Sequence, residues 1–342
     1  MLSGSTGCKV DHKAPLATSN GQINVVATTV MVGDLVSAIG GNHVNVTVLL
    51  GPGVDPHLHK TTRDDVARIM SADAVFYSGL HLEGKMTDAF DQVGKQKPVV
   101  AVAETLEPSK LLGDEATDSA DPHVWFDARL WMQTIDTVAE TLAQLRPEAK
   151  PEFEQLGRRY ANELLTIAEY GNNVLSTIPQ SQRLLITSHD AFGYLGRTYD
   201  IEVLGVQGIS TDSEAGLKRV NELVDLIVER QVPAVFIESS VSEKGVRALI
   251  DGAHSRGHNV VIGGELFSDA AGQSDTYEGT HIGMLDHNFT VIANALGGSA
   301  PEYGMADKLR LSSRDPERPT DKAPRPSPSS TSDAPRSFAP RA

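Results

Sequence analysis

V-N-V-T-V-L-L-G-P-G-V-D-P-H-L-H, from Val44 to His59, sets the terms for the rest of the chain. Residues 44–50 read as a buried strand of mostly apolar residues, and residues 61–70 read as a helix. Between them Gly51, Pro52 and Gly53 stiffen a turn that presents His57. An α/β sheet builds ligand sites in this way, at the carboxyl ends of its strands. The construction recurs downstream. Asp121-Pro122-His123 repeats Asp55-Pro56-His57, and Thr187-Ser188-His189-Asp190 places a third histidine just past another apolar run.

Outward from this stretch the same alternation holds. Residues 23–28, 74–78 and 99–102 read as further strands, and residues 30–39 and 85–96 as helices. Thr61 followed by Asp64 is the expected cap of the 61–70 helix, with Val66, Ile69 and Met70 facing inward. An acidic loop, residues 104–119, leads into the second Asp-Pro-His. Residues 128–145 are amphipathic, with Ile135, Val138, Leu142 and Leu145 on one stripe. Residues 151–177 form a long helical pattern that carries Phe153, Leu156, Tyr160, Leu164, Ile167 and Val174. Beyond it, strands are expected at 184–187, 201–204, 234–238 and 259–263, and helices at 215–230, 243–256 and 281–296. Gly205, Gly208 and the Gly263-Gly264 pair read as isolated turn glycines.

Strands alternating with helices mean mainly parallel sheets covered on both faces. The expected fold is therefore α/β: two βα lobes joined by one long backbone helix. Its segments are a leader (1–21), an N-terminal lobe (22–148), a linking helix (149–179), a C-terminal lobe (180–300) and a disordered tail (301–342). The tail reading rests on residues 305–342, which hold seven of the eighteen prolines, many Ser and Arg, and few large apolar residues.

Composition narrows the function. The 342 residues hold 30 basic and 45 acidic side chains, a formal charge of −15. That excludes the basic surface a nucleic-acid partner requires. With one cysteine, Cys8, neither an internal disulfide nor a multi-cysteine zinc site is possible. No run of eighteen apolar residues exists, so no membrane span is expected. Residues 1–7 are too short for a complete secretory signal. Cys8 nevertheless follows Ser5, Thr6 and Gly7 and precedes a polar stretch, the pattern of a lipid-anchored cysteine on a tether. Ser5 stands where such patterns favour leucine.

Three imidazoles and a carboxylate, His57, His123, His189 and Asp269, each fall shortly after an apolar strand. They suit one divalent borderline ion such as Zn2+ or Mn2+. With two ligands from each lobe, the ion would cross-link the halves. Asp55 and Asp121 are expected to fix their turns, and Glu238 to support the site by hydrogen bonding. His59 and His81 lie nearby on expected helix starts, in surface or supporting roles; His12 and His43 lie in the leader and a turn, and His254, His258, His281 and His287 lie over or beside helices, all read as non-ligands. Ser188-His189-Asp190 is contiguous and makes no triad. Neither H-E-x-x-H, G-x-S-x-G nor a P-loop occurs, so no catalytic residue is assigned.

Seven motifs together carry a resemblance: D-P-H-L at Asp55, G-L-H-L-E at Gly79, D-P-H-V-W-F-D at Asp121, T-S-H-D-A-F-G-Y at Thr187, G-I-S-T-D-S-E at Gly208, F-I-E-S-S at Phe236 and E-L-F-S-D at Glu265. In this order and spacing, over residues 23–298, the chain resembles the metal-binding solute receptors of bacterial ABC importers, most closely the TroA-like zinc/manganese receptors. The resemblance implies an extracytoplasmic, monomeric receptor that delivers Zn2+ or Mn2+ to an ABC-type metal permease and does no chemistry on the ion. It also implies His57, His123, His189 and Asp269 as ligands. Manganese-type members commonly carry glutamate where His189 stands, and zinc members often carry a His-rich acidic loop, which residues 104–119 are not. The competing reading is a metal-dependent hydrolase built on the same His/Asp site, with Glu238 as its general base.

Overall fold

The computed structural model describes residues 21–114, 119–305 and 307–309. The leader with Cys8, residues 115–118 of the acidic loop and the tail beyond 309 lie outside the described residues, together with the expectations placed on them.

The first half alternates β1 (Ile23–Ala27), α1 (Val30–Gly40), β2 (Val44–Val48), α2 (Arg63–Ser71), β3 (Ala74–Tyr77), α3 (Thr87–Gly94) and β4 (Val99–Ala101). Its four strands form one parallel sheet in the order β2-β1-β3-β4. The chain then crosses a short antiparallel pair, β5 (Gly113–Asp114) and β6 (Ser119–Ala120), before α4 (Ala128–Trp131), α5 (Ile135–Leu145) and the long α6 (Lys150–Leu175). The second half continues with β7 (Leu184–Thr187), α7 (Gly193–Tyr199), β8 (Glu202–Gly205), α8 (Leu217–Glu229), β9 (Ala234–Glu238), α9 (Lys244–Ser255), β10 (Val261–Leu266) and α10 (His281–Ala295). Here β7 pairs with β8 and β9 with β10, both parallel, and β7 lies beside β9. The strand sequence second-first-third-fourth thus repeats the order of the first half.

The backbone helix α6 is about 39 Å long at about 1.5 Å per residue. Pro151 sits in its first turn, where a missing N–H costs nothing. Its buried stripe (Phe153, Tyr160, Leu164, Ile167, Val174) packs on α1 and α5 on one side and on α10 on the other. One hydrophobic core therefore runs from β1 and α1 through α6 to α10. At Gly171 a Cβ would meet the Phe289 ring at 2.7 Å, so only glycine lets α6 and α10 approach this closely.

Several expectations shift. β2 is an edge strand, not a buried one: it pairs only with β1, and its exposure alternates. The α2 cap slides by one residue to Thr62 and Asp65, which form a capping box worth about 1 kcal/mol. Val66 and Met70 turn to solvent, at 42% and 47% exposure, while Ile69 stays buried. The 128–145 pattern breaks at Trp131 into a 3-10 turn before α5 resumes. Gly263 and Gly264 are not turn glycines; they lie inside β10, where Cβ atoms would collide with Ala295 and Val291 of α10. The short α7 had no readable pattern and is held by burial of Tyr194, Leu195 and Tyr199. Ordered structure also continues past residue 300: Met305 N–H donates to Asp286, and Leu309 is buried.

Candidate metal centre

Each of four side chains reaches one point from a different loop. His57 follows the turn after β2. The Asp55 carboxylate holds that turn, its Oδ1 accepting the His57 backbone N–H at 2.8 Å. His123 leads the 3-10 turn Val124–Phe126, and Asp121 Oδ1 accepts both its backbone N–H (2.9 Å) and its Nδ1–H (2.7 Å). His189 lies just past β7, gripped by Glu238 at the end of β9, whose two oxygens take its backbone N–H (2.8 Å) and its Nδ1–H (2.5 Å). Asp269 follows β10. Both Asp residues of the Asp-Pro-His repeats thus fix their turns, and Glu238 plays the supporting part expected of it.

With Nδ1 occupied, His123 and His189 turn Nε2 inward. Nε2 of His57 stands 3.4 Å from that of His123 and 3.9 Å from Asp269 Oδ2. The Asp269 oxygens lie 3.1 Å from His123 Nε2 and 3.2 Å from His189 Nε2. All four donor atoms fall within 4.8 Å of one another. Four donors placed about 2.0–2.1 Å from one centre in a tetrahedron stand about 3.3–3.4 Å apart. The observed spacings surround that figure. Among the described residues this is the one group of histidine and carboxylate side chains with metal-site geometry.

Its polar atoms are costly without a shared partner. His189 Nε2 and both Asp269 oxygens are buried and lack a well-aligned hydrogen bond. Burial lowers His57 to about 4, so its imidazole is neutral and able to ligate. Burial also opposes charge on His123, but Asp121 and Asp269 outweigh it and push the group to about 9. His189 is pushed well up against its burial by Glu238 and Asp269. Those imidazoles in turn hold Asp269 well below the usual carboxylate range, although burial alone would raise it. An ion bound beside Asp269 would take the place of the protons that His123 and His189 otherwise hold there.

A sequence model described as "ZnuA: Zinc-uptake complex component A periplasmic" matches residues 25–295. The chain belongs to this family. Similarity to individual ZnuA-family members is high. The manganese-binding lipoprotein MntA of Bacillus subtilis (strain 168) is 45% identical over 291 residues, covering 85% of this chain and 94% of the relative. The zinc-binding protein TroA of Treponema pallidum (strain Nichols) is 45% identical over 280 residues, 82% of this chain and 91% of TroA. The solved structure of the periplasmic zinc-binding protein TroA from Treponema pallidum superposes with a TM-score of 0.78, covering 81% of this chain and 99% of that one.

The other histidines serve the scaffold. His59 bonds Asp65 in the α2 cap (3.0 Å), and His254, His258 and His287 bond backbone carbonyls. His281 is fully buried: Nε2 donates to the Trp125 carbonyl at 3.0 Å, and Nδ1 faces Tyr160 Oη. His12 is outside the described residues.

Three features were not legible as site elements. The G-L-H-L-E motif buries Glu83, whose carboxylate accepts from Thr28 Oγ1, Ser78 N and Gly79 N and braces a left-handed turn at Gly79, Leu80 and His81. Trp125 Nε1 donates to the Ser268 carbonyl, beside Asp269. Thr211 of G-I-S-T-D-S-E donates to Asp55 across the two halves at 2.6 Å. All three stretches are among the seven motifs of the resemblance, but only folding brings their partners together.

Proposed function

We propose that the protein is an extracytoplasmic receptor that captures one Zn2+ or Mn2+ ion through His57, His123, His189 and Asp269 and passes it to an ABC-type metal permease. The observation that carries this reading is a buried group of three Nε2 atoms and one carboxylate at metal-site spacing, with two members from each half. Zn2+ and Mn2+ are the ions named for TroA and MntA. Neutral imidazole nitrogen with a single carboxylate is a borderline donor set suited to either ion, and both Asp269 oxygens face the site for one- or two-point binding. The receptor acts as a monomer, with residues 22–148 and 180–300 as its working halves and 149–179 as the linker. Cys8 serves as a lipid anchor. No helix among the described residues is long and apolar enough to cross a membrane.

Against the hydrolase reading, both Glu238 oxygens already accept hydrogen bonds from His189, which makes the one named base a support for a ligand. The test is titration of the metal-stripped protein with Zn2+ and with Mn2+, monitored by competition with a chelator. One site per chain is expected, with affinity falling at least a hundredfold in His123→Ala and in Asp269→Ala. Unchanged affinity in both variants would sink the ligand assignment.

A further inference from the structure

A cavity of about 410 Å3 borders the metal group, and of the four candidate ligands only His57 lines it. Leu80, His81 and Lys85 form its wall from the first half, and Ile209, Ser210 and Asp212 close it from the second. An ion moving between this space and the site passes His57.

The segment after β8 that covers this path is tied across the cleft at two points. Thr211, itself buried, donates Oγ1–H to Asp55 Oδ2 at 2.6 Å. Lys85 Nζ bonds Asp212 Oδ1 at 2.5 Å. The first tie reaches a ligand. The other oxygen of the same Asp55 carboxylate accepts the His57 backbone N–H, so Asp55 is a bracket with His57 at one end and Thr211 at the other. Asp121, the counterpart of Asp55 before His123, spends its Oδ1 on its own histidine's N–H and Nδ1. Both turns receive a hydroxyl from the opposite half, but Tyr194 Oη reaches the Asp121 backbone carbonyl (2.9 Å), whereas Thr211 reaches the very carboxylate that holds His57. Lys85–Asp212 is a partly exposed pair, a kind that contributes little to stability. Its position at the rim ties the two walls of the cavity to each other.

We infer that Thr211 and Asp212 are positioning residues for the transported ion, holding His57 in register from across the cleft and setting the rate at which the ion leaves. This rests on the metal-receptor reading above. A hydrogen bond to a carboxylate contributes about tenfold or more to an equilibrium, so Thr211→Val, which keeps shape and loses the hydroxyl, is expected to speed release by about that factor.

The full chain is loaded with Zn2+ and mixed in stopped flow with excess chromophoric chelator, at two chelator concentrations to establish that dissociation limits the rate. Thr211→Val should release Zn2+ about tenfold faster, and Thr211→Ser should restore the wild-type rate. The Co2+ absorption bands should be the same in all three, since the four ligands stay in place. Lys85→Asp and Asp212→Lys should each speed release, and the double reversal should slow it again; these surface variants remain informative if Thr211→Val folds poorly. Wild-type rates in Thr211→Val and in both charge variants overturn this inference alone. A wild-type protein that takes up no metal overturns it together with the receptor reading.

Discussion

Replacing Glu238 by Gln tests how the site sets the protonation of its own ligands. Glu238 accepts two N–H groups of one residue, the His189 backbone N–H at 2.8 Å and Nδ1–H at 2.5 Å, and it is almost fully buried. Glutamine keeps the shape but offers one acceptor oxygen. Whichever way its amide is placed, an NH2 group faces one of those two donors. The substitution also removes a charge that, against burial, raises His189, so the ring is more readily neutral and its cheapest escape is to carry its one proton on Nε2, leaving Nδ1 to accept. That tautomer points an N–H at the place where a cation has to sit, so binding must first move the proton back. Partners that orient metal-bound histidines are worth about 10- to 100-fold in affinity, or about 1.4–2.7 kcal/mol. Chelator competition with Zn2+ at neutral pH measures the loss, and far-UV circular dichroism together with urea unfolding checks that the fold persists. Affinity within twofold of wild type in a folded Glu238→Gln protein would refute the tautomer argument.

Other outcomes follow from the same packing. Gly205→Ala places a Cβ 2.4 Å from the Asp190 nitrogen and 2.7 Å from the His189 carbonyl carbon, so it should cost at least about 2 kcal/mol in urea unfolding and weaken Zn2+ binding by displacing His189. His281 is held neutral by burial down to about 4, against 6.5 in the unfolded chain. The unfolded state therefore binds the extra proton first: stability from this residue is complete above pH 6.5 and falls by about 3 kcal/mol as pH drops toward 4. Metal-free wild type should lose more stability between pH 7.5 and 4.5 than His281→Gln, and equal losses would remove the argument. Small-angle scattering should change little on metal loading, because one continuous helix and a shared core join the halves; a wide opening of the metal-free protein would contradict this.

The amino-acid sequence by itself determined the alternation of strands and helices, the long backbone helix and the four residues that meet. These are local properties. Apolar periodicity reports which face a segment buries, and a histidine in a Gly/Pro-stiffened turn after a strand can only be displayed at a sheet edge. Local pattern failed where packing between distant segments had the last word. Val66 and Met70 fit an apolar stripe yet face solvent, because α2 packs on β1 and α3 through Ile69 and leaves the rest of that stripe uncovered. Gly263 and Gly264 resembled turn residues because the approach of α10, which excludes any side chain there, is invisible along the chain. Only the tertiary structure decided that His281 is a core residue, that Glu238 sets the tautomer of His189, and that Thr211 reaches Asp55 156 positions away. A hydrogen bond joins atoms in space with no periodicity to record it, so these partners could be found only after the two halves had folded against each other.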